Sequence, residues 1–520
     1  MHRTMYAAIE KMSASLIQIG LTPFISAGLI AFLLSFILVR SGRGKKYRNL
    51  PPRGPREWPV LGSLPSLAGK DMPHVIIANM AKKYGPIFSM QMGSFYAVVL
   101  SDYSLIRQAF TKSNDEFSDR PKITMIENIA EGKGLIVSYL SQMQTEHRRF
   151  SLSALRSLGM GKFKMEETIA DEARVLATSF SRRRSKPFVP FHDIVVSVSN
   201  IICWLNFGRR FDYDDEAFKG ILESVFESFE IAEMAGLFNF LPFLRFFPGS
   251  GVKRMLELRA IFDKYMKPLV WKISEEQEKS RRSPTCYVEM YTEQMIEAEH
   301  ETPGDHTFSK ENLYNAVADL FVAGTETTAT TLKWALMYMI LHQDVQEKVH
   351  KELDDIVGRN RLPRLIDRPK LPYTEATLLE IQRFASITPL GVPHAPAKDV
   401  VLNGYDIPKG TVILPNLWAI HHDPDLWKNP DGFNPDRFLD PETKQVVQRE
   451  ELIPFSIGRR RCMGEQLAKV ELFIFFTHLL HRFKFETPEG APPLTMKARN
   501  GATLNPEEFE ICASLIDDIM

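Results

Sequence analysis

The hydrophobic pattern changes character several times along the chain. Leu16 to Val39 carries no charged side chain. A helix rising about 1.5 Å per residue over that stretch would reach about 36 Å, enough to cross a bilayer's hydrocarbon core. This predicts a membrane-spanning anchor. Arg40, Arg43, Lys45, Lys46 and Arg48 follow it, a positive flank that keeps the remaining chain cytosolic. Leu50 to Gly62, with Pro51, Pro52, Pro55 and Pro59, predicts a stiff extended spacer. Farther on, Asn312 to Leu341 holds only Asp319, Glu326 and Lys333 as charges, and predicts a long helix buried through the middle of the protein. Val345–Val357, Tyr373–Phe384 and Gln466–Phe483 read as further helices. Ile87–Met92 with Tyr96–Leu100, and Val400–Leu402 with Thr411–Leu414 around the Asn403-Gly404 turn, read as short strands. Arg281 to His306 is polar and reads as a solvent-side connection. Leu237 to Phe247 is a second apolar patch, suited to core packing or to a headgroup contact. The pattern as a whole predicts a mainly α fold with small β-sheets behind an N-terminal transmembrane helix. Residues 1–15 would be a short lumenal end, 16–39 the anchor, 40–62 the basic and Pro/Gly-rich spacer, and 63–520 one catalytic body.

Composition narrows the function classes. The 64 basic and 64 acidic side chains cancel, which argues against nucleic acid as a partner bound through bulk charge. Four cysteines, Cys203, Cys286, Cys462 and Cys512, are too few and too scattered for a disulfide framework. Each must be considered alone.

Cys462 stands out. It ends the stretch Phe455-Ser456-Ile457-Gly458-Arg459-Arg460-Arg461-Cys462-Met463-Gly464-Glu465, and a helix follows. Three preceding cations and a helix N-terminus predict a lowered thiol pKa. No second Cys or His lies within a few residues, so a structural zinc site does not fit. A lone thiolate suits a metal whose other ligands come from a cofactor, as in thiolate-ligated haem. Ala323 and Thr327 share a helix face with Gly324 beside them. That small-residue face would let a flat cofactor approach the backbone.

With these residues in view, the chain resembles the cytochrome P450 superfamily, most closely the animal microsomal family 2 type. Phe455, Gly458, Arg460, Cys462 and Gly464 match the haem loop. Glu380-Ile381-Gln382-Arg383 matches Glu-x-x-Arg, and Phe433 to Phe438 matches the aromatic–Pro–Arg–Phe element. Ala323 to Thr328 matches the oxygen-activating stretch. The resemblance implies haem b with Cys462 as axial iron ligand, and a buried network of Glu380, Arg383 and Arg437 beneath the loop. It gives Thr327 a hydroxyl for activated dioxygen and Glu326 a place in proton delivery. Arg120, Arg148, His394 and Arg460 would hold the haem carboxylates, with Phe455 and Ala323 against the cofactor. Gln144 stands where relatives carry Trp; its amide could donate in the indole's place.

The resemblance further implies a monooxygenase using O2 and acting on a lipophilic substrate such as a fatty acid, steroid or xenobiotic. The pocket would take in Phe321, Ala323, Leu390 and Val392, with the Ile123–Val137 loop and the Leu237–Phe247 region. Gly132-Lys133-Gly134 and Gly249-Ser250-Gly251 make no dinucleotide fingerprint after a strand. NADPH would therefore act indirectly, through NADPH–cytochrome P450 reductase, with cytochrome b5 as a second candidate donor. The anchor implies a lipid bilayer contact and the endoplasmic reticulum. Two other readings stay open: a P450-like isomerase or dehydratase acting on peroxides, and a non-catalytic haem protein.

Overall fold

A computed structural model describes residues 46–123, 132–160, 163–241, 251–499 and 501–516. The longest element is the helix Lys310–Leu341, hereafter the central helix. Ser309 caps it by accepting the Asn312 N–H at 3.2 Å, and most of its length from Leu313 to Ile340 is buried. Burial around the whole circumference follows from the scarcity of charge in its sequence. It packs most extensively against Phe191–Phe207, whose Ile194, Val198 and Ile201 are fully buried. The helix Glu465–Arg482, which starts three residues after Cys462, closes the same core through Phe473, Phe475 and Leu480. Gln343–Ile356 and Pro372–Ala385 flank it.

The sheets are small. β1 (Ile87–Met92) pairs antiparallel with β2 (Phe95–Leu100). β3 (Val400–Leu402) pairs with β4 (Tyr405–Ile407) across Asn403 and Gly404, both at positive φ as the tight turn requires. β5 (Val412–Pro415) does not join β3, as its sequence suggested, but adds to β2 in parallel. The intervening β4 takes the hairpin position, and the fully apolar β5 goes to the buried sheet. Arg281–His306 is likewise not a mere connection. It contains the helix Tyr287–Glu301, whose Tyr287, Val288 and Tyr291 are buried. The proline segment is docked rather than free: Pro52 O accepts the Ser89 N–H and Ser89 O accepts the Gly54 N–H, each at 2.8 Å. A strand edge with unmet hydrogen-bonding groups captures an already extended chain.

The anchor expected at residues 16–39 lies outside the described residues. Among the described residues no helix is long and apolar enough to cross a membrane. The apolar helix Phe191–Phe207 carries Asp193, Asn200 and Asn206, and the central helix carries five charges, Lys310, Glu311, Asp319, Glu326 and Lys333; both are core elements. The fold class is therefore corrected to mainly α with small β-sheets, with no transmembrane helix among the described residues. The membrane, microsomal and endoplasmic-reticulum assignments that rested on that helix are withdrawn. Residues 242–247 of the second apolar patch also lie outside the described residues.

Candidate haem-thiolate site

The Cys462 loop is built by close backbone contact. Phe455 O accepts the Cys462 N–H at 3.0 Å and Gly458 O accepts the Arg461 N–H at 3.2 Å. Gly458 sits at φ +82°, and a Cβ there would lie 1.8 Å from Phe110 O; only glycine fits. Gly464 passes beneath the sulfur, since a Cβ on it would be 3.9 Å from Sγ. Lys469 Nζ lies 5.7 Å over the Phe455 ring.

The arginines do not serve the thiol as the sequence suggested. Arg459 turns to Asp115 (2.9 Å) and the Thr145 hydroxyl (3.0 Å). Arg460 runs inward to the carbonyls of Ser118 (2.9 Å), Ser138 (2.6 Å) and Leu135 (3.5 Å). Arg461 is exposed, and Arg148 donates to its carbonyl. Cys462 as a residue is exposed, and its sulfur meets the Gly464 and Glu465 backbone. Desolvation raises its pKa, against hydrogen bonding from the Gly464 and Glu465 backbone and the charge of Arg148. The expected lowering is overturned because only Arg148 bears on the sulfur among the cations.

A second cluster of positive charge forms one layer away. Arg120 donates to the carbonyls of Ile136 (3.0 Å), Val392 (3.2 Å) and Pro393 (2.8 Å). Burial, aided by Arg460 and Arg148, pulls its pKa down to about 9. Burial and Arg148 likewise pull Arg460 down to about 10. Gln144, on the same helix as Arg148, is 1% exposed, with a buried Nε2 that has no hydrogen-bond partner. Two depressed guanidiniums and an orphaned amide donor call for an anionic acceptor. These residues fit the carboxylates of haem, and Cys462 fits its iron. His394 is buried, stacked on Phe110 at 3.9 Å, with Nδ1 2.7 Å from Phe117 O. That carbonyl requires the hydrogen on Nδ1, and burial, with Arg120 beside it, lowers the ring's pKa.

The loop from Gly134 to Ser138 links this cluster to the central helix. Asp319 accepts the N–H groups of Leu135 (2.6 Å) and Ile136 (3.0 Å), residues whose carbonyls receive Arg460 and Arg120. This role for Asp319 was not read from sequence, where it registered only as a buried charge. Farther along the helix, Thr327 Oγ1 donates to Ala323 O at 2.8 Å. Glu326 is fully buried and points to Thr503 and Asn505, so acid and hydroxyl are not bonded to each other. Gly324 faces neither: a Cβ there would lie 2.4 Å from Ile202 Cδ1. Its smallness serves close helix packing rather than cofactor approach.

Under the loop, Glu380 and Arg383 are fully buried and doubly bonded at 2.7 and 2.8 Å. Arg437 Nε reaches Glu380 at 3.0 Å, and the Asn434 N–H adds a bond at 2.8 Å. Of the pocket residues, Phe321 is fully buried in the core near Phe262 and does not line an open wall. Leu390 packs beside the β1–β2–β5 sheet. Val392 lines a cavity with Arg120, Ile123, Val137, Tyr139 and Pro393. Ala323 is half-buried.

Comparison with known proteins decides the family. A cytochrome P450 family model matches residues 52–513. The chain belongs to the cytochrome P450 family. Human cytochrome P450 2J2 is 39% identical over 98% of this chain and 99% of its own. Human cytochrome P450 2U1 is 38% identical over 91% and 90%. Cytochrome P450 2D20 of Mesocricetus auratus is 36% identical over 94% and 97%. A family 2 cytochrome P450 is a haem-thiolate monooxygenase, and Cys462 is the cysteine this chain offers at the family's loop.

Proposed function

We propose that this cytochrome P450 binds haem b through Cys462, Arg120, Gln144, Arg148 and Arg460. It would oxygenate a lipophilic substrate with electrons passed from NADPH by a separate reductase, cytochrome b5 being a second candidate donor. The observation that carries this reading is the conjunction of an exposed Cys462 with a buried donor set, Arg120 and Arg460 bonded to backbone carbonyls and Gln144 Nε2 without a partner. When bound, the haem would supply oxygen activation at a thiolate-ligated iron. The chain's own residues have four tasks. Arg120 and Arg460 neutralise carboxylates where water is excluded. Glu380, Arg383 and Arg437 hold the scaffold beneath the loop rigid. Thr327 must release Ala323 O to offer its hydroxyl outward. Glu326 carries protons to that hydroxyl, because a dry pocket leaves no bulk solvent to do so. Val392 and Ala323 shape the substrate side; Phe321 supports the helix from behind.

Isotopically labelled dioxygen tests the reading. With NADPH, purified reductase and a panel of lipophilic compounds, one labelled oxygen atom should enter the product. A labelled-oxygen-independent product formed from a peroxide would favour the isomerase alternative.

A further inference from the structure

The Glu326 carboxylate is held in an unusually specific way by a part of the chain far away in sequence. Glu326, Thr330 and Lys333 lie at i, i+4 and i+7 on one face of the central helix. Against that face runs the strand Asn505–Pro506 with the residues just before it. Thr503 and Asn505 are two apart and project to one side. Leu504 between them is fixed at both backbone ends. Its N–H donates to Ile387 O and its carbonyl accepts the Trp334 indole N–H, each at 2.8 Å. The side chains are therefore presented from an anchored segment.

The hydrogen bonds converge on Glu326 Oε1, which Thr330 Oγ1 of the same helix also reaches at 3.1 Å. Thr503 Oγ1 donates to Glu326 Oε1 at 2.8 Å, and Asn505 Nδ2 donates to the same oxygen at 2.6 Å. Asn505 Nδ2 also reaches Thr503 Oγ1 at 3.1 Å. Asn505 Oδ1 accepts from Thr330 Oγ1 at 2.8 Å and from Lys333 Nζ at 3.4 Å. The amide thus bridges a cation and an anion, which fixes its orientation. Glu326 Oε2 is buried without a partner. A carboxylate with one oxygen saturated and the other bare is oriented, and only the bare oxygen is free to exchange a proton.

We propose that Thr503 and Asn505 are positioning residues for Glu326, gripping Oε1 so that Oε2 is the atom presented to the proton path. The inference rests on the reading of Glu326 as the proton-delivering acid. It adds a docking station in the C-terminal strand that the acid needs in order to act. Purely structural bonds would support the fold equally well whichever oxygen they engaged, and would not act through Glu326 on the reaction.

The test uses the haem-loaded full chain and two readouts: product and peroxide per NADPH, and hydrogen exchange of the Leu504 amide. Thr503→Val should lower product per NADPH about tenfold, the scale of one hydrogen bond to a charged group, with haem content unchanged. Thr503→Ser should restore coupling. Glu326→Ala should uncouple to a similar extent, and adding Thr503→Val to it should cost nothing more. Each single variant should speed Leu504 exchange about tenfold, non-additively in the pair. If Thr503→Val fails to take up haem, Asn505→Ala carries the same comparison. Normal coupling in Thr503→Val alongside uncoupled Glu326→Ala overturns the docking station and leaves the acid's role intact. A further loss on adding Thr503→Val to Glu326→Ala overturns it too. Normal coupling in Glu326→Ala overturns the acid's role itself.

Discussion

Thr327 shows how a single side chain divides its loyalty. Its hydroxyl donates to Ala323 O at 2.8 Å, a bond that any buried helix threonine can make. Turning it toward dioxygen exchanges one hydrogen bond for another, so the net gain is smaller than a full charged bond. Thr327→Ala should therefore reduce product per NADPH by about tenfold while haem content and NADPH consumption persist and peroxide rises. A paired assay of product and peroxide checks this; unchanged coupling would return Thr327 to its helix-internal role. Glu471 makes a different statement. It is buried between the central helix and the helix that follows Cys462, and burial raises its pKa from 4.5 to about 8, against a bond from Thr328. The folded state then holds a proton that the unfolded state has lost, so stability falls as pH rises from about 4.5 through about 8, by about 1.4 kcal/mol per pH unit. Glu471→Gln should flatten that slope in urea unfolding midpoints across the window; an unchanged slope would show that another group carries it. Residues of this kind were only partly legible in sequence. Cys462 was legible because its loop is local. Arg460 was legible as a participant but not in direction, since the carbonyls of Ser118, Leu135 and Ser138 that turn it inward come from distant chain. Gly324 was misleading because its partner is Ile202 on another helix.

Among the elements, the helix Pro372–Ala385 has the most exacting task. It buries Glu380 and Arg383 completely and meets Arg437 from the short 3-10 turn Pro435–Phe438. Arg383 Nη1 also donates to His421 O at 2.6 Å, and its guanidinium lies 5.6 Å from the Trp427 ring. Arg383→Ala would strand Glu380 as a buried charge, costing about 3–5 kcal/mol. The expected outcome is loss of haem incorporation and soluble fold together; a stable holoprotein with merely slower turnover would contradict that assignment. At this scale the sequence was legible where periodicity ran unbroken, as in the central helix, observed at Lys310–Leu341 against an expected Asn312–Leu341. It failed where pairing was non-local. β5 is as apolar as any hairpin partner of β3, and nothing in its own residues says that β2 claims it. The helix Tyr287–Glu301 was hidden by exposed Glu and His residues that surround the few buried positions facing the core.

The whole molecule joins three pieces in series: the central helix, the Gly134–Ser138 loop that Asp319 pins, and the Cys462 loop, whose Arg460 reaches that loop and whose Gly458 meets Phe110. They are joined by bonds from charged side chains to backbone amides and carbonyls rather than by salt bridges. This leaves the charges of Arg120 and Arg460 on backbone carbonyls and Gln144 Nε2 without an acceptor, a deficit that a haem's carboxylates would meet. Haem loss should accordingly be faster in Gln144→Leu, with about a tenfold rise in the rate of transfer to an apo-haem acceptor protein if its amide contributes one charge-assisted bond; an unchanged rate would remove Gln144 from the cofactor's partners. Everything else in the account depends on the axial ligand. The most direct measurement is the reduced, carbon-monoxide-bound difference spectrum of the full chain beside Cys462→Ala. The native protein should show the red-shifted Soret band of thiolate ligation, and the variant should lose it while remaining largely helical. Full retention of that band in Cys462→Ala would contradict the account.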